Sequence, residues 1–566
     1  MKWIKRDAAV RIEDVVERNT GIPIHDFLNP PTNVHIGGLT DAAIAIQDAV
    51  VNNELITIYG DYDVDGITST AILFLTLVNL GHEKVSVILP KRFSEGYGLS
   101  QKGVDRIDTG LLITIDNGIT AINEIQAAKD KGLKVVVIDH HLPREDGQIP
   151  NADVVVDPNA IPGSDFNGYC GAGLAFKLAC LLLDDEETID KLSALAAIGT
   201  VADVMPLVND NRNIVIRGLK RLSSGKNLPG LAALLNCLDM YEVSEGDIGF
   251  KLGPVLNAAG RMRDAGATEA FELLVKDKAF ARVRAEALIS TNEERKAVVL
   301  SGMECCEEMI ADQCLFGDSP LLLYTTKEDP VLLHEGIVGI LAGRLAEKYK
   351  VPVIVLSETE GGILKGSGRS YGNIHLKQLL DSAADLLVGY GGHAGAAGLS
   401  VTQEKVEDLR DRLKESMAKL EITEVAEPDT EFYDIEVNAH QIPAVMEKLK
   451  MFAPFGEGNP QPVFKVNTIR LAPRGGKFYR LMGNEGQHIK MFGQNCDVVG
   501  FDMATQYRDA NEPACIDALG YISENRFGAT VTLQVELMDF HPKEIEVTKS
   551  RLANALAQKM KEKGLS

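Results

Sequence analysis

The chain has 566 residues, too many for one hydrophobic core, and at about 150 residues per domain it predicts three or four folding units. Its 45% hydrophobic and 25% charged residues exclude disorder of the whole chain, and apolar runs such as AILFLTLVNL (71–80) fall short of the roughly 20 residues a membrane helix needs. With 58 Lys+Arg against 81 Asp+Glu, a formal charge of −23 excludes a protein that coats nucleic acid by bulk charge, while leaving room for a local basic channel.

The first residues, MKWIKRDAAVRIEDVVERN, carry early positive charge but no apolar run of signal-peptide length, and acids appear by Asp7 and Glu13. No export signal is expected, and the chain is expected to be cytoplasmic. Residues 1–35 are read as an N-terminal segment. The eight cysteines are scattered with no C-x-x-C pair, so buried free thiols are expected.

Between Glu54 and Asp157, within a domain read as 36–276, a pattern repeats: a short β-branched run, a polar or glycine-containing break, then a helical stretch. The runs are LITIYG (55–60), VSVILP (85–90), LLITID (111–116), LKVVVID (133–139) and DVVVD (153–157). Near-continuous apolar strands separated by helices predict an α/β domain with a parallel sheet covered on both faces. A long helix over 277–315 is predicted to connect it to a second α/β domain over 316–422, which includes the helix 337–350 and the strand 351–357. From 423 to 542 short alternating strands and turns predict a small β-barrel domain. The tail, 543–566, is predicted to be a polar helix.

The strongest chemical signal is IYGDYDVDG (58–66), a strand ending in Asp61, Asp63 and Asp65 between two glycines. Three carboxylates this close repel one another and are tolerable when a cation neutralises them. The D-x-D-x-D-G spacing also fits half of a calcium loop, but the twelfth position is Ile72 rather than Glu, and a strand precedes it. A solvated acidic turn is the other reading. LLITIDNGIT puts Asp116 at the end of another strand, and VVVIDHHLP does the same for Asp139, His140 and His141. Singly, an Asp after a strand is often only the cap of the next helix. In an open parallel sheet, however, the functional crevice lies outside those strand ends, and here independent runs deliver acids and imidazoles to one edge.

GDYDVDG, DNG and DHH, in this order and spacing, resemble the first three motifs of the DHH phosphoesterase family, and GTVADVMPL (199–207) resembles the fourth, with Asp203 as its acid. By this resemblance Asp63, Asp65, Asp116, His140 and Asp203 ligate a pair of Mn²⁺ or Mg²⁺ ions, with Asp61 and Asp139 as direct or supporting groups. His141 is then the transition-state stabiliser or proton donor. Hard oxygen ligands with one imidazole suit Mn²⁺ or Mg²⁺, and no thiolate set favours structural zinc. The sequence departs from the similar pyrophosphatase branch, which has His four residues before the paired aspartates, where Tyr59 stands here.

GGHAGAAG (391–398) is similar to the signature of the DHHA1 domain. PKRFSEGYGLS (90–100), GPVLNAAGRM (253–262), HEGIVGILAGRL (334–345), KGSGRS (365–370) and PFGEGNPQPVF (454–464) resemble RecJ-type members, the last opening an OB-type domain. The resemblance covers about 40–540. It implies that Arg92, Arg261, Ser367, Arg369 and His393 contact phosphates of a strand, with Arg261 and Arg369 nearest the terminal one. Asn257 is a further nucleic-acid contact, and Tyr97 is a base-stacking or core tyrosine. The implied activity is 5′-to-3′ exonuclease action on single-stranded DNA in repair and recombination, releasing mononucleotides. The implied partners are that strand and a single-strand-binding protein or helicase, with no membrane. Two rival readings stay open: a hydrolase of short oligonucleotides or cyclic dinucleotides, and a non-catalytic DNA-binding relative.

Overall fold

Four glycine-bounded runs and one short strand build the first sheet: Ile56–Tyr59, Val85–Ile88, Leu111–Ile115, Lys134–Ile138 and Val154–Val156. Every pairing is parallel, and the spatial order is second, first, third, fourth, fifth in chain order. The chain therefore leaves the first strand toward one side and returns beside it on the other. The crevice at that switch point opens beyond the carboxyl ends of Ile56–Tyr59 and Leu111–Ile115.

The computed structural model describes residues 1–419, 430–483, 485–527 and 530–544. These fall into two compact units, one within Pro30–Val425 and the other joining Met1–Asn29 to residues within Ala426–Ser566. The expected C-terminal helix over 543–566 and the expected boundary at 423 fall outside the described residues, apart from 543 and 544. Among the described residues no helix is long and apolar enough to cross a membrane.

In the first unit, Val64–Asn79 is apolar nearly all round and is buried against the helices Gly171–Leu182 and Glu186–Ala202, the arrangement expected of a core helix. The turn into it is tight: a Cβ on Gly60 would lie 2.0 Å from Thr70 Oγ1, and one on Gly66 2.6 Å from Asp61 Cβ. Both glycines of GDYDVDG are thus steric requirements. The predicted connecting helix is Ala281–Asp312, and it leads to the second sheet. That sheet has the order Leu387–Gly392, Ala396–Thr402, Ile363–Arg369, Val353–Glu358, Leu321–Thr325, antiparallel except for its last pair. Helix Val338–Tyr349 makes the crossover between the parallel strands.

In the second unit, seven strands pair in the order Ile435–Asn438, Phe464–Arg470, Cys515–Phe527, Thr530–Pro542, Asp497–Gly500, His488–Met491, Tyr479–Met482. The N-terminal segment belongs here. Lys2–Lys5 pairs in parallel with Thr430–Tyr433, the Trp3 indole donates to Asp539 at 2.8 Å and stacks on His541, and Arg18 pairs with Asp434 at 2.6 Å.

Candidate metal centre and phosphate site

The strand Ile56–Tyr59 ends at the switch point, and the turn after it carries the acids. Asp63 caps Val64–Asn79 by accepting from the Gly66 N–H at 3.0 Å. Asp65, on the first turn, accepts from the Gly171 and Ala172 N–H groups at 2.6 and 2.8 Å, so it sits at the positive end of the buried helix Gly171–Leu182. Asp61 is buried and its Oδ2 has no hydrogen-bond partner. Tyr59 points away, into a cluster with Leu99 and Val104, and its hydroxyl reaches Gly98 O at 3.3 Å.

Asp116 follows Leu111–Ile115 with a φ of 62°, a left-handed conformation that Asp and Asn tolerate better than most residues. Its Oδ1 lies 3.0 Å from His140 Nε2, which is also 3.7 Å from Asp65 Oδ2 and 3.6 Å from Asp203 Oδ2. Asp203 arrives from the C-cap of Glu186–Ala202. Asp139 is buried and accepts from the backbone of Ile119 and His140, at 2.9 and 2.8 Å, and from His141 Nδ1 at 2.7 Å.

Three trios place one donor atom each within 4.8 Å of the others: Asp65, His140, Asp203; Asp61, Asp63, Asp116; and Asp116, His140, His141. Burial, then repulsion from neighbouring aspartates, holds the carboxyls of Asp61, Asp63 and Asp116 above their ordinary range and pushes Asp203 up to about 8. Burial also lowers the His140 imidazole, keeping it neutral with a free lone pair. For His141 burial works in the same direction, but the hydrogen bond and charge of Asp139 outweigh it and raise the imidazole to about 9. A protonated ring carries no lone pair for a metal and has N–H groups to donate. An orphaned buried oxygen on Asp61, crowded carboxylates and one neutral imidazole fit a pair of Mn²⁺ or Mg²⁺ ions.

The raised Asp203 carboxyl has a consequence for stability. A folded-state pKa above the unfolded value contributes stability that is present below pH ~4 and lost as pH rises toward about 8. In EDTA, Asp203→Asn is therefore expected to melt increasingly above the unsubstituted protein between those two pH values. With Mn²⁺ added the order should reverse, because only the intact site gains binding energy. Thermal melts across the window check this; a difference that stays flat with pH contradicts it.

A cationic group flanks the acids. Arg92 lies 4.6 Å over the Tyr62 ring. Arg369, at the end of Ile363–Arg369, donates to Ser367 Oγ at 2.6 Å and Gly368 O at 2.8 Å. Among the described residues Arg261 donates to Gly336 O alone, at 3.5 Å, and burial followed by repulsion from Arg92 and Arg295 lowers it to about 10. Asn257 stands one turn before Arg261 on the same helix face. His393 is exposed in the turn before Ala396–Thr402, which hydrogen-bonds next to Arg369 through Ser370 N–H and Gly395 O at 2.9 Å. Tyr97 is 50% exposed rather than a core residue. Its hydroxyl lies 3.1 Å from Asp116 O and 3.0 Å from His141 Nε2.

Comparison with known proteins agrees with this layout. Residues 55–200 match the DHH family, N-terminal domain; residues 328–419 match the DHHA1 domain, and residues 433–539 the RecJ OB domain. The single-stranded-DNA-specific exonuclease RecJ of Dickeya dadantii (strain 3937) is 35% identical over 506 residues, covering 83% of this chain and 84% of its own. The chain belongs to the RecJ family. The Bacillus subtilis (strain 168) RecJ is also 35% identical, over 528 residues and 91% of this chain, although the chain spans only 64% of that relative's length. RecJ from Thermus thermophilus has been solved with Mn²⁺ and with Mg²⁺. Its Mn²⁺ complex matches with a TM-score of 0.75 at 27% identity, over 94% of this chain and 76% of that one.

Within this RecJ-family site the structure adds residues that sequence reasoning passed over. Asn117 donates to the carbonyls of Tyr59, Gly60 and Ile115, tying together the two strand ends that carry the acids. Asn159 donates to His140 O at 2.5 Å, and its own N–H is fixed by Asp157 at 2.8 Å. Asn117 stood in the quoted DNG motif. Asp157 and Asn159 follow a strand as D-P-N, a turn signal that gives no sign of what it braces.

Proposed function

We propose that this chain is a metal-dependent exonuclease that hydrolyses single-stranded DNA from its 5′ end and releases mononucleotides, in DNA repair and recombination. The observation that carries the reading is the meeting, at one switch point, of the acid and imidazole trios with unpaired arginines beside them. All the motif acids are in place, which disfavours a non-catalytic relative. The seven-stranded second unit disfavours a hydrolase of very short substrates, which needs no long track.

In this reading Asp61, Asp63, Asp65, Asp116, His140 and Asp203 hold the two cations. When bound, the cations polarise the scissile phosphodiester and activate water for in-line attack. The protein's own groups do the rest. Asp139 fixes the His141 ring through Nδ1, and the Nε2 proton, 3.0 Å from the Tyr97 hydroxyl, passes to a phosphate or leaving oxygen when the strand displaces that contact. Arg261 and Arg369 receive the terminal phosphate and Arg92 the next, which sets polarity without reading bases. Asn257, Ser367 and His393 line the strand's path, and Tyr97 offers its exposed ring face to a base. A helicase or single-strand-binding protein belongs to the same proposal, since a site for one strand needs another agent to open a duplex. A cytoplasmic place fits the free cysteines.

Digestion of 5′- and 3′-labelled strands in Mn²⁺ and in Mg²⁺ tests the reading. The 5′ label should leave first as mononucleotide, and early loss of the 3′ label would overturn the polarity. Arg369→Ala is expected to raise KM for 5′-phosphorylated strands by about 10-fold or more, the scale of a lost charge-assisted bidentate contact, with Mn²⁺ affinity unchanged. Equal losses for 5′-phosphate and 5′-hydroxyl ends would contradict that placement.

A further inference from the structure

The cationic group does not stop at the arginines assigned above. Helix Ala281–Asp312 buries a seam of Leu288, Asn292, Val299, Gly302, Cys306 and Ile310, and Arg295 stands between Asn292 and Val299 on that same face. Its Nε is buried with no hydrogen-bond acceptor. Asn292, 4% exposed and one turn earlier, also has a buried Oδ1 with no partner. An unpaired guanidinium in a seam where an apolar side chain would pack costs stability. In a chain with 81 acidic residues, no ion pair among the described residues neutralises Arg92, Arg261, Arg295, Arg344 or Arg369.

The elements that carry these arginines meet: Arg261 Nη1 lies 3.5 Å from Gly336 O, just before helix Val338–Tyr349, and Arg263 donates to Thr291 Oγ1 at 2.9 Å, one turn before Arg295 on Ala281–Asp312. Burial and then mutual repulsion act on them: Arg261 is lowered by Arg92, Arg295 and Arg369 against the pull of Asp63, and Arg295 by Arg344, on helix Val338–Tyr349, against the pull of Glu293. Glycines bring that helix's start against the group. A Cβ on Gly339 would lie 3.3 Å from both Arg369 Nη2 and Ser367 Oγ, and one on Gly336 only 1.8 Å from Arg261 O. The cap residue, Ile337, offers no side chain to the first N–H groups.

We infer that Arg295 and Arg344 form a second anion subsite beyond the terminal-phosphate pocket, taking the additional phosphates of a 5′-polyphosphorylated strand. The inference rests on the reading that Arg261 and Arg369 hold the 5′ phosphate while the next phosphodiester lies at the cations. With the strand so placed, further 5′ phosphates are the groups that extend from the terminal phosphate held by Arg261 and Arg369. Hydrolysis then adds water across the first internucleotide bond, its oxygen going to phosphorus and a proton to the departing O3′. The terminal residue leaves as a nucleoside 5′-triphosphate, and the shortened strand keeps an ordinary 5′ monophosphate.

The test uses the full chain and one strand sequence with 5′-hydroxyl, 5′-monophosphate or 5′-triphosphate ends. Products are read by chromatography in Mn²⁺ and binding by fluorescence anisotropy in EDTA. The protein should release a nucleoside triphosphate first and monophosphates afterwards, and should bind the triphosphate end at least as tightly as the monophosphate. Arg295→Gln should raise the triphosphate-to-monophosphate ratio of dissociation constants by about 10-fold, Arg344→Gln by about 3-fold, and Arg295→Lys by less than either. A triphosphate end that blocks digestion, or a ratio unmoved in Arg295→Gln, overturns the inference. So does displacement of the monophosphate strand by inorganic triphosphate when the triphosphate strand is no substrate, which would assign the site to free polyphosphate. Failure to digest the monophosphate strand from its 5′ end would instead overturn the exonuclease reading itself.

Discussion

Asp116→Asn is expected to lower the rate of single-strand hydrolysis by about 100-fold or more while the protein keeps its fold. The two effects separate because the residue's backbone and side chain do different work. The backbone turns through a φ of 62° and its N–H bonds Ile138 O at 3.0 Å, which closes the strand end. Asn tolerates that left-handed conformation, whereas Ala would add strain and confuse the result. The side chain is buried among Asp61, Asp63, Asp65 and Asp203, and loss of its charge relieves repulsion in the metal-free protein. Turnover in Mn²⁺, circular dichroism and a melt in EDTA check the prediction. Activity within a few-fold of the unsubstituted protein, or a metal-free melting midpoint well below it, contradicts the assignment.

The sequence made this part of the site legible because its geometry is local. A parallel strand that must stop, turn and enter a helix within a few residues writes its acids and glycines next to one another, as in GDYDVDG, and the strand-end rule places them. The strands and the connecting helix were readable for the same reason, from their apolar periodicity. What joins distant segments was not. Lys2–Lys5 pairs with Thr430–Tyr433, and nothing in a four-residue strand states a partner more than 400 positions away. The Tyr97 hydroxyl on His141, and the amide of Asn159 under His140, are contacts between loops with no fixed spacing. The arginines were legible only through resemblance, since a lone Arg in a sequence looks solvated; their common lack of carboxylate partners is visible only in three dimensions. That same clustering reconciles a charge of −23 with an anionic substrate: part of the negative excess is gathered around the expected cations, and the arginines stand beside it without an ion-pair partner among the described residues.

Asp139→Asn should cost about 100- to 10,000-fold in turnover and should move the alkaline limb of the pH–rate profile downward. Asp139 is buried, yet the hydrogen bond and charge of His141 hold its carboxyl below the usual range, so it is an anion across the working pH. That anion is what lifts His141 to about 9 against burial. A proton donor works below its pKa, so activity that depends on protonated His141 persists into mildly alkaline solution and falls beyond it. An asparagine can keep a hydrogen bond to Nδ1 but supplies no charge, and burial then lowers the imidazole unopposed. The limb should shift toward neutral pH. Bound cations depress both profiles, and the difference between the two proteins remains. Tyr97→Phe offers the control for position rather than charge: it removes the hydroxyl 3.0 Å from Nε2 while Asp139 stays in place, so the rate should change by about 10-fold at most and the alkaline limb should stay where it is. If Asp139→Asn loses activity with its limb unmoved, the carboxylate acts on the backbone turn of His140 and His141, and a different group carries the proton.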